Sequence, residues 1–335
     1  MNKRKKRSRR GAFILIAILV LVGGIIGYAV HFPGRSFRGE LPAITQEQTS
    51  VREYVEGIVT DLATNYIDRH LGNPAMLNAA ADYVEAAFTA MGYTVERQAY
   101  DVSGERAFNL IVEIPGATRP DDIYIFGAHY DAVPNCPAAN DNASGVAAML
   151  ALARYFKDLK PACTVRFVAF TNEEPPYFRT QHMGSLVYAN RCRDREENIV
   201  GMFSLETMAY FSDEPNSQRY PRGVSWLYPS TGNFIGFVGN TKSQALASET
   251  VELFREQVDF PAEGAAMAET ITGVGLSDQW SFWRAGYPGL MITDTAFFRY
   301  PYYHTAEDTT DKLDFDRFAR VVEGLQRVFE AMTGD

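Results

Sequence analysis

Five short clusters of acidic and histidine residues constrain the fold of this chain more than any other sequence feature. They read AHYDAVP around His129, ANDNASG around Asp141, TNEEPP around Glu173 and Glu174, SLET at Glu206 and YYHTAEDT at His304. Each follows, or is predicted to follow, a short apolar run typical of a strand buried on both faces. Two histidines and several carboxylates are the donors that suit zinc. We therefore expect a fold in which distant clusters meet around metal ions.

Runs with the character of strands and helices alternate along the chain. IYIFGAH, TVRFVAFT and IVGMFSLE predict buried strands, and SGVAAMLALARYF predicts a helix between the first two. The alternation implies an α/β fold, a three-layer α/β/α sandwich around a mostly parallel, mixed sheet. Because ligands bind at the carboxyl ends of parallel strands, the clusters should gather at one edge of this sheet.

The first 32 residues predict a membrane anchor. Residues 1–11 form a basic tail, with seven Lys/Arg among the first ten, and residues 12–32 contain no Asp, Glu, Lys or Arg. About 20 apolar residues span a bilayer core. A cleaved signal peptide is the alternative, but the run is long for one and no convincing cleavage site follows. We expect a single-pass signal-anchor with a cytoplasmic N-terminus, a linker at 33–45 and an extracytoplasmic catalytic domain at 46–335.

The chain beyond this tail is acidic. It holds 25 of the 32 basic residues against all 41 acidic ones, a formal charge of −16. Proteins that bind nucleic acid carry basic patches, so the composition argues against a nucleic-acid substrate. An acidic body favours attraction of metal cations and cationic amines.

Three cysteines are too few for a disulfide framework. Cys163 begins an apolar strand and is expected in the core. Cys136 lies between two clusters, where a metal ligand, a disulfide to Cys192 and a buried free thiol are all compatible with the sequence.

The first two clusters place a histidine and two aspartates at a strand end and a helix start. His129 and Asp131 are two positions apart, so in extended backbone their side chains point the same way. Asp131 could accept a hydrogen bond from the His129 Nδ1–H and leave Nε2 to a metal. Asp141 could be a helix N-cap, but a short carboxylate at this turn also suits bridging two cations.

The pair Glu173 and Glu174 is followed by two prolines that stiffen the turn. Adjacent side chains diverge, so the two residues should have different roles. One would bind metal, and the other would take the proton of a water molecule as general base. An exposed acidic turn is the alternative for this pair taken alone.

Glu206 and His304 complete the set. A carboxylate at the end of a buried strand needs a partner, and a cation can be that partner. His304 lies in a loop rich in tyrosine, with Asp308 four residues later as an orienting residue or a turn former.

The motifs HYD, NDNASG, NEE, LE and YHT, in this order and at these separations, resemble the co-catalytic zinc aminopeptidase family, which includes leucyl-type aminopeptidases, glutamate carboxypeptidase and glutaminyl cyclases. The resemblance covers roughly residues 70–330. It implies a zinc-dependent exopeptidase with two zinc ions per chain and a peptide substrate. By this resemblance the first zinc is bound by His129 and Glu206 and the second by Glu174 and His304, while Asp141 bridges both and Glu173 is the general base.

This chain departs from the family pattern at two positions. Glu206 stands where the family often has Asp, and Gln279 replaces the histidine of a Ser-Asp-His segment. The second change is expected to alter contacts around the site but not metal binding. A single-zinc glutaminyl cyclase, a non-catalytic receptor-like domain and a carboxypeptidase for acidic dipeptides remain alternatives. The last would need an arginine in the cleft, for which Arg179, Arg284 and Arg299 are candidates.

Overall fold

The structure, a computed structural model, describes residues 24, 27 and 29–334. The predicted basic tail at 1–11 and most of the predicted anchor at 12–32 lie outside the described residues. Within the described part of the chain, no helix is both long enough and apolar enough to cross a bilayer. The anchor therefore stays a prediction.

Eight strands form one mixed sheet in the order β1-β2-β4-β3-β5-β8-β6-β7. The strands are β1 (Glu96–Val102), β2 (Glu105–Ile114), β3 (Arg119–His129), β4 (Cys163–Phe170), β5 (Asn198–Glu206), β6 (Ile235–Asn240), β7 (Ala262–Met267) and β8 (Gly289–Thr293). The central strands β4, β3, β5 and β8 are parallel neighbours, whereas β1, β2 and β6 make antiparallel pairs. The prediction of an α/β fold with a mixed sheet is confirmed.

Helices cover both faces of the sheet. They are α1 (Gln46–Asn65), α2 (Pro74–Ala90), α3 (Gly145–Phe156), α4 (Gly184–Asp194), α5 (Gln244–Gln257), α6 (Gln279–Ala285) and α7 (Phe315–Thr333). On β3 the side chain of Phe126 packs on Phe329 of α7, within a core that also includes α1, α3 and α5. Its neighbour Ile125 points to the other face, into a smaller core with Tyr188 of α4 and Phe282 of α6. The side-chain alternation along β3 thus creates the two interfaces of a three-layer sandwich.

The carboxyl ends of the central strands bring the clusters together. β3 ends at His129 and β5 ends at Glu206, while β4 ends just before Glu173. Asp141 lies in a kinked turn, Ala139–Ser144, that leads into α3 and in which Asp141 and Asn142 have non-helical backbone angles. Gly145 allows this turn to approach β5, because a Cβ at that position would lie 2.1 Å from the carbonyl oxygen of Leu205.

All three cysteines are buried free thiols. The Cys136 thiol donates a hydrogen bond to the carbonyl of Thr305, at 3.1 Å. Cys192 packs in the core between the sheet and α4. The disulfide considered between Cys136 and Cys192 is therefore wrong, and the alternative of a buried thiol holds.

Candidate metal centre

Two histidines face the two oxygens of one aspartate. His129 Nε2 lies 3.3 Å from Asp141 Oδ1 and 3.2 Å from Glu206 Oε2. On the other side, His304 Nε2 lies 3.0 Å from Asp141 Oδ2 and 3.2 Å from Glu174 Oε2. The five predicted ligands thus form two half-sites that share Asp141. We call them the His129 half-site and the His304 half-site.

Several of these atoms are buried without a hydrogen-bond partner. They are Nε2 of His129 and His304, both carboxylate oxygens of Asp141 and Oε1 of Glu174. Buried polar atoms are nearly always paired, so atoms that crowd together without hydrogen-bonding geometry require another partner. Donor atoms of His129, Asp141 and Glu174 also lie within 4.8 Å of one another, close enough to bind one ion. The residues therefore fit the zinc ions that the resemblance implies.

The charges of the site support the same interpretation. Burial and the neighbouring Asp141 raise the pKa of Glu174 to about 7, and burial raises the pKa of Glu206. Although burial disfavours charged histidines, the surrounding carboxylates raise the pKa of His304 to about 10 and that of His129 well above its ordinary value. The site thus holds more negative charge than its histidines neutralise, and divalent cations would supply the balance.

Asp131 positions the two glutamates. Its Oδ1 accepts a hydrogen bond from the backbone N–H of Glu173 at 3.2 Å, and its Oδ2 accepts one from the N–H of Glu174 at 3.1 Å. The His129 Nδ1 lies 3.2 Å from the main-chain carbonyl of Asp131 and 3.5 Å from its carboxylate. The carbonyl is therefore the nearer acceptor for the histidine, and the carboxylate acts mainly on the glutamate turn.

Glu173 lies beside the His129 half-site and outside both ligand sets. Its Oε2 is 4.0 Å from His129 Nε2, farther than any of the ligand contacts above. Burial, with repulsion from Glu206 and Glu174, raises the pKa of Glu173 well above its ordinary value against the opposing effect of His129. A buried carboxylate beside these candidate metal ligands has the position that a general base requires.

Two sets of hydrogen bonds hold the turn Ala139–Ser144 in place, one accepted by Asp308 and one donated by Asn142. Asp308 accepts hydrogen bonds from the backbone N–H groups of Asn140 and Asp141 at 2.8 and 3.1 Å, and from the hydroxyl of Tyr300. The Asn142 amide donates to the carbonyl of Leu205 at 2.9 Å and so ties the turn to β5. Asp308 is thus an orienting residue that acts on Asp141, although it lies on the loop of His304.

Two supporting residues were missed by the sequence analysis. Arg69 is fully buried, and its guanidinium donates to the carbonyls of Tyr130, Pro137 and Ala138, which fixes the loop between the first two clusters. The hydroxyl of Ser277 donates to Glu206 Oε2 at 2.8 Å. An isolated arginine gives no local signal, whereas Ser277 is the first residue of the Ser-Asp-Gln segment, whose contact with Glu206 was not predicted.

The Ser-Asp-Gln segment, residues 277–279, contacts the site through the hydrogen bond from Ser277 to Glu206. Gln279 is buried in α6, and its side-chain amide donates to the carbonyl of Val274 at 3.1 Å. Burial raises the pKa of Asp278 to about 7. The exchange at position 279 therefore changes packing around the site, and Gln279 is absent from both half-sites described above.

An apolar pocket opens beside the His129 half-site. Glu206 and Tyr303 form its inner end, and the Tyr303 ring stacks on His304 with centroids 3.9 Å apart. Side chains from β6, β7 and β8 and from the following loops line the rest, including Val238, Met267, Val274, Met291 and Phe298. Its cavity volume is about 110 Å³.

The three candidate arginines do not line this pocket. Arg179 donates to the carbonyl of Gly275, Arg284 pairs with Glu269, and Arg299 is buried with donors to the carbonyl of Phe234 and the side chain of Gln218. A carboxypeptidase for acidic dipeptides would require a guanidinium aimed at the substrate. The arrangement of these three residues argues against that alternative.

Sequence comparisons identify relatives. Residues 109–328 match the sequence profile described as peptidase family M28. The uncharacterized protein YfbL of Escherichia coli is 34% identical over 282 residues, which cover 82% of this chain and 86% of that protein. The aminopeptidase YwaD of Bacillus subtilis is 28% identical over 203 residues, which cover 59% of this chain and 38% of that protein. The chain therefore spans nearly all of the first relative but well under half of the second.

Solved structures share the fold. A zinc aminopeptidase from Bacillus subtilis superposes with a TM-score of 0.67 at 14% identity, covering 89% of this chain and 97% of that one. A glutaminyl cyclase from Fimbriiglobus ruber superposes with a TM-score of 0.60 at 20% identity, covering 88% and 97%. One architecture thus accommodates both reactions, and the choice between them depends on the residues of the site.

Proposed function

The chain belongs to peptidase family M28, and on this basis we propose that it is a zinc-dependent aminopeptidase that removes N-terminal residues from peptides. The observation that carries this proposal is the geometry of Asp141, whose two oxygens face two different histidines. A single aspartate placed in this way can serve two ions at once. The match to a peptidase family and an aminopeptidase among its sequence relatives support the reaction class.

Each half-site would hold one zinc ion. His129, Glu206 and Oδ1 of Asp141 would hold the first ion, and His304, Glu174 and Oδ2 of Asp141 the second. When bound, such ions polarise the scissile carbonyl and lower the pKa of a water molecule. Asp131 and Asp308 would keep the ligands in place through the backbone hydrogen bonds described above.

Glu173 would move the proton. As general base it takes a proton from the attacking water at a carboxylate oxygen and then delivers that proton to the nitrogen of the leaving amine. The amide of Glu173 is held by Asp131, so its carboxylate stays beside the His129 half-site while it changes protonation state. Its burial excludes competing water from the carboxylate.

The apolar pocket would receive the side chain of the N-terminal residue. Glu206 is one of its lining residues, and most of its lining surface is apolar. A cavity of about 110 Å³ suits a medium-sized apolar side chain. We expect leucyl, methionyl or phenylalanyl arylamides to be cleaved faster than aspartyl or lysyl arylamides.

A pair of adjacent substitutions tests the assignment. Glu173→Gln is expected to keep two zinc ions per chain and to lower kcat by about 10²- to 10⁴-fold, because the base is lost and the ligands remain. Glu174→Gln is the matched control, since it is expected to lower zinc content as well as activity. Zinc content per chain and hydrolysis of leucyl-arylamide would be measured on both. Full activity in Glu173→Gln, or loss of zinc from it, would contradict the role assigned to this residue.

The second candidate function is a single-zinc glutaminyl cyclase, in which the amine of the substrate is the nucleophile. Asp141, Glu174 and His304 would be sufficient ligands, and a cyclase shares the fold. His129 Nε2 lies 3.2 Å from Glu206 Oε2 and 3.3 Å from Asp141 Oδ1. This second group of candidate ligands favours a second ion and so the peptidase. One zinc ion per chain together with cyclisation of N-terminal glutamine would establish the cyclase instead.

We also propose that residues 12–32 anchor the catalytic domain to the outer face of a membrane. The uncharged run of 21 residues and the basic tail before it support this topology. Fractionation of cells that express the full chain, followed by protease treatment of intact spheroplasts, tests it. Recovery in the soluble fraction, or protection of the catalytic domain from added protease, would contradict the topology.

A further inference from the structure

The last residue of the predicted anchor and the residues after it are fixed to the edge of the sheet. Phe32 is buried, and its ring packs on Gly264 of the edge strand β7. A Cβ added to Gly264 would lie only 2.6 Å from a carbon atom of this ring. The guanidinium of Arg255 donates to the carbonyls of Phe32 and Pro33 at 3.1 and 3.0 Å, and the backbone N–H of Ala262 donates to the Ser36 hydroxyl. The segment 32–36 therefore leaves the catalytic domain at a defined place.

The loop 219–228 lies at the same place. The hydroxyl of Tyr228 donates to the carbonyl of Gly264, the residue on which Phe32 packs. Val224 and Tyr228 pack in one apolar cluster with Val30, which belongs to the predicted anchor. The loop is thus adjacent to the point where the predicted anchor meets the domain.

This loop presents an exposed aromatic side chain. Trp226 is 69% exposed, more than Ile67 or Phe297, which are the other exposed large apolar residues in the described part of the chain and are each 40% exposed. Its indole N–H donates to the carbonyl of Gly223 within the same loop. The polar atom is already satisfied, so the ring could enter a less polar environment without losing a hydrogen bond.

Four exposed arginines accompany this tryptophan. Arg35 and Arg38 belong to the segment after Phe32, and Arg219 and Arg222 belong to the loop. Among the described residues no ion pair joins any of them to a carboxylate, whereas Arg97, which is also exposed, pairs with Asp82 and Glu85. A local group of positive charges on an acidic domain attracts partners of opposite charge.

We propose that Trp226 and these four arginines form a contact with the surface of the membrane that holds the anchor, with Trp226 at the depth of the headgroups and the arginines on anionic phospholipids. The inference rests on the proposed anchor and goes beyond the proposed reaction. Tryptophan is enriched at this depth of a bilayer, and positive side chains are attracted to anionic headgroups in whichever leaflet they face. Tyr220, Val224 and Tyr228 of the same loop line the apolar pocket, so the contact would place the pocket beside the membrane surface.

Tryptophan fluorescence of the full-length chain tests the contact, because the chain has only three tryptophans. The chain would be placed in nanodiscs of phosphatidylcholine and phosphatidylglycerol, with brominated lipid as a quencher in the bilayer and iodide as a quencher in water. We expect brominated lipid to quench the wild type, and this quenching to fall at least twofold in Trp226→Phe but to persist in the control Trp280→Phe. The double variant Arg219→Gln/Arg222→Gln should reduce quenching in anionic discs and have little effect in discs of phosphatidylcholine alone.

The remaining outcomes overturn the inference in distinguishable ways. If iodide quenches Trp226 as strongly in nanodiscs as in detergent, the loop faces water. If neither quencher reaches Trp226, a protein surface covers it, either a partner or a second copy of this chain. If the chain does not co-elute with the discs, the anchor itself is wrong and the contact fails with it. Arylamide hydrolysis, measured on the same samples, separates each of these results from a failure of the proposed reaction.

Discussion

Replacement of Asp131 by asparagine should weaken metal binding although Asp131 is not itself a ligand. Each carboxylate oxygen accepts one backbone N–H, from Glu173 at 3.2 Å and from Glu174 at 3.1 Å. Asparagine has the same shape but only one acceptor oxygen, and its amide group would face the other N–H with a second donor. One of the two glutamates must therefore lose its support.

The size of the effect follows from that single lost hydrogen bond. A hydrogen bond to a charged acceptor contributes about 1.5–3 kcal/mol, and the unpaired N–H would be buried. If about 2 kcal/mol of this is lost from the free energy of zinc binding because Glu174 is displaced, zinc affinity at the His304 half-site falls about 30-fold. The conversion uses about 1.4 kcal/mol for each factor of ten. This lies within the range of about 10- to 100-fold found when residues that orient metal ligands are changed.

Competition with a fluorescent zinc chelator would measure the affinity, and leucyl-arylamide hydrolysis at saturating zinc would measure kcat. The control is Asp121→Asn, an isosteric change of an exposed aspartate at the start of β3. A fall in kcat at saturating zinc, beyond the loss of affinity, would show that the base Glu173 is displaced as well. If Asp131→Asn matches the control in both zinc affinity and kcat, the claim that Asp131 holds the glutamate turn is refuted.

Three further changes test other parts of the site. Asp308→Ala leaves three buried donors without an acceptor, so we expect a loss of at least about 3 kcal/mol in the free energy of unfolding, measured by urea denaturation of the zinc-free chain. Glu206→Asp retracts the carboxylate by about 1.5 Å, away from Ser277, and should lower zinc content from two ions towards one while the His304 half-site stays filled. In chelator-treated protein, Tm should fall as pH rises from about 4.5 to about 7, because the folded chain holds the proton of Glu174 (pKa about 7) more tightly than the unfolded chain does. The raised pKa of His304, about 10, lowers the stability of the zinc-free chain further as pH rises above 6.5. Added zinc should therefore raise Tm more at pH 8 than at pH 5.5, as measured by thermal scans.

The sequence predicted the parts of the fold that carry a strong local signal. The apolar runs before His129 and Glu206 are strands, and the run from residue 144 to 156 is a helix apart from its first residue. The order of the clusters along the chain, combined with the rule that parallel strands end at one sheet edge, was enough to predict that they meet. The two half-sites bring these residues together as expected, while their binding of metal stays a prediction.

Other elements carry no such signal. The edge strand β7 reads AEGAAM, which contains no β-branched residue, and it is a strand because β6 pairs with it along its length. Helix α4 begins at a glycine and is rich in polar residues, so its helical period is hard to read. Both elements depend on tertiary contacts that single-sequence patterns do not contain.

The supporting hydrogen bonds were also beyond the sequence, for a different reason. Asp308 was predicted as either an orienting residue or a turn former, and its partners proved to be backbone N–H groups 167 and 168 positions away. Backbone groups are the same in every residue, so no pattern of side chains can identify which of them an aspartate will hold. Candidate ligands of a metal site can thus be chosen from residue types, whereas the residues that position them require the folded chain.

The charge at the site bears on the number of metal ions. Asp141, Glu174, Glu206 and Glu173 face the two half-sites from buried positions, so the four carboxylates together carry four negative charges when ionised. Two divalent cations balance this charge with both histidines neutral, which is the form in which histidine binds metal. A single cation would leave two negative charges buried, which protons on His129, Glu206 or Glu173 would have to balance instead. A base that is already protonated cannot accept the proton of water, so the role proposed for Glu173 favours a cation in the His129 half-site as well.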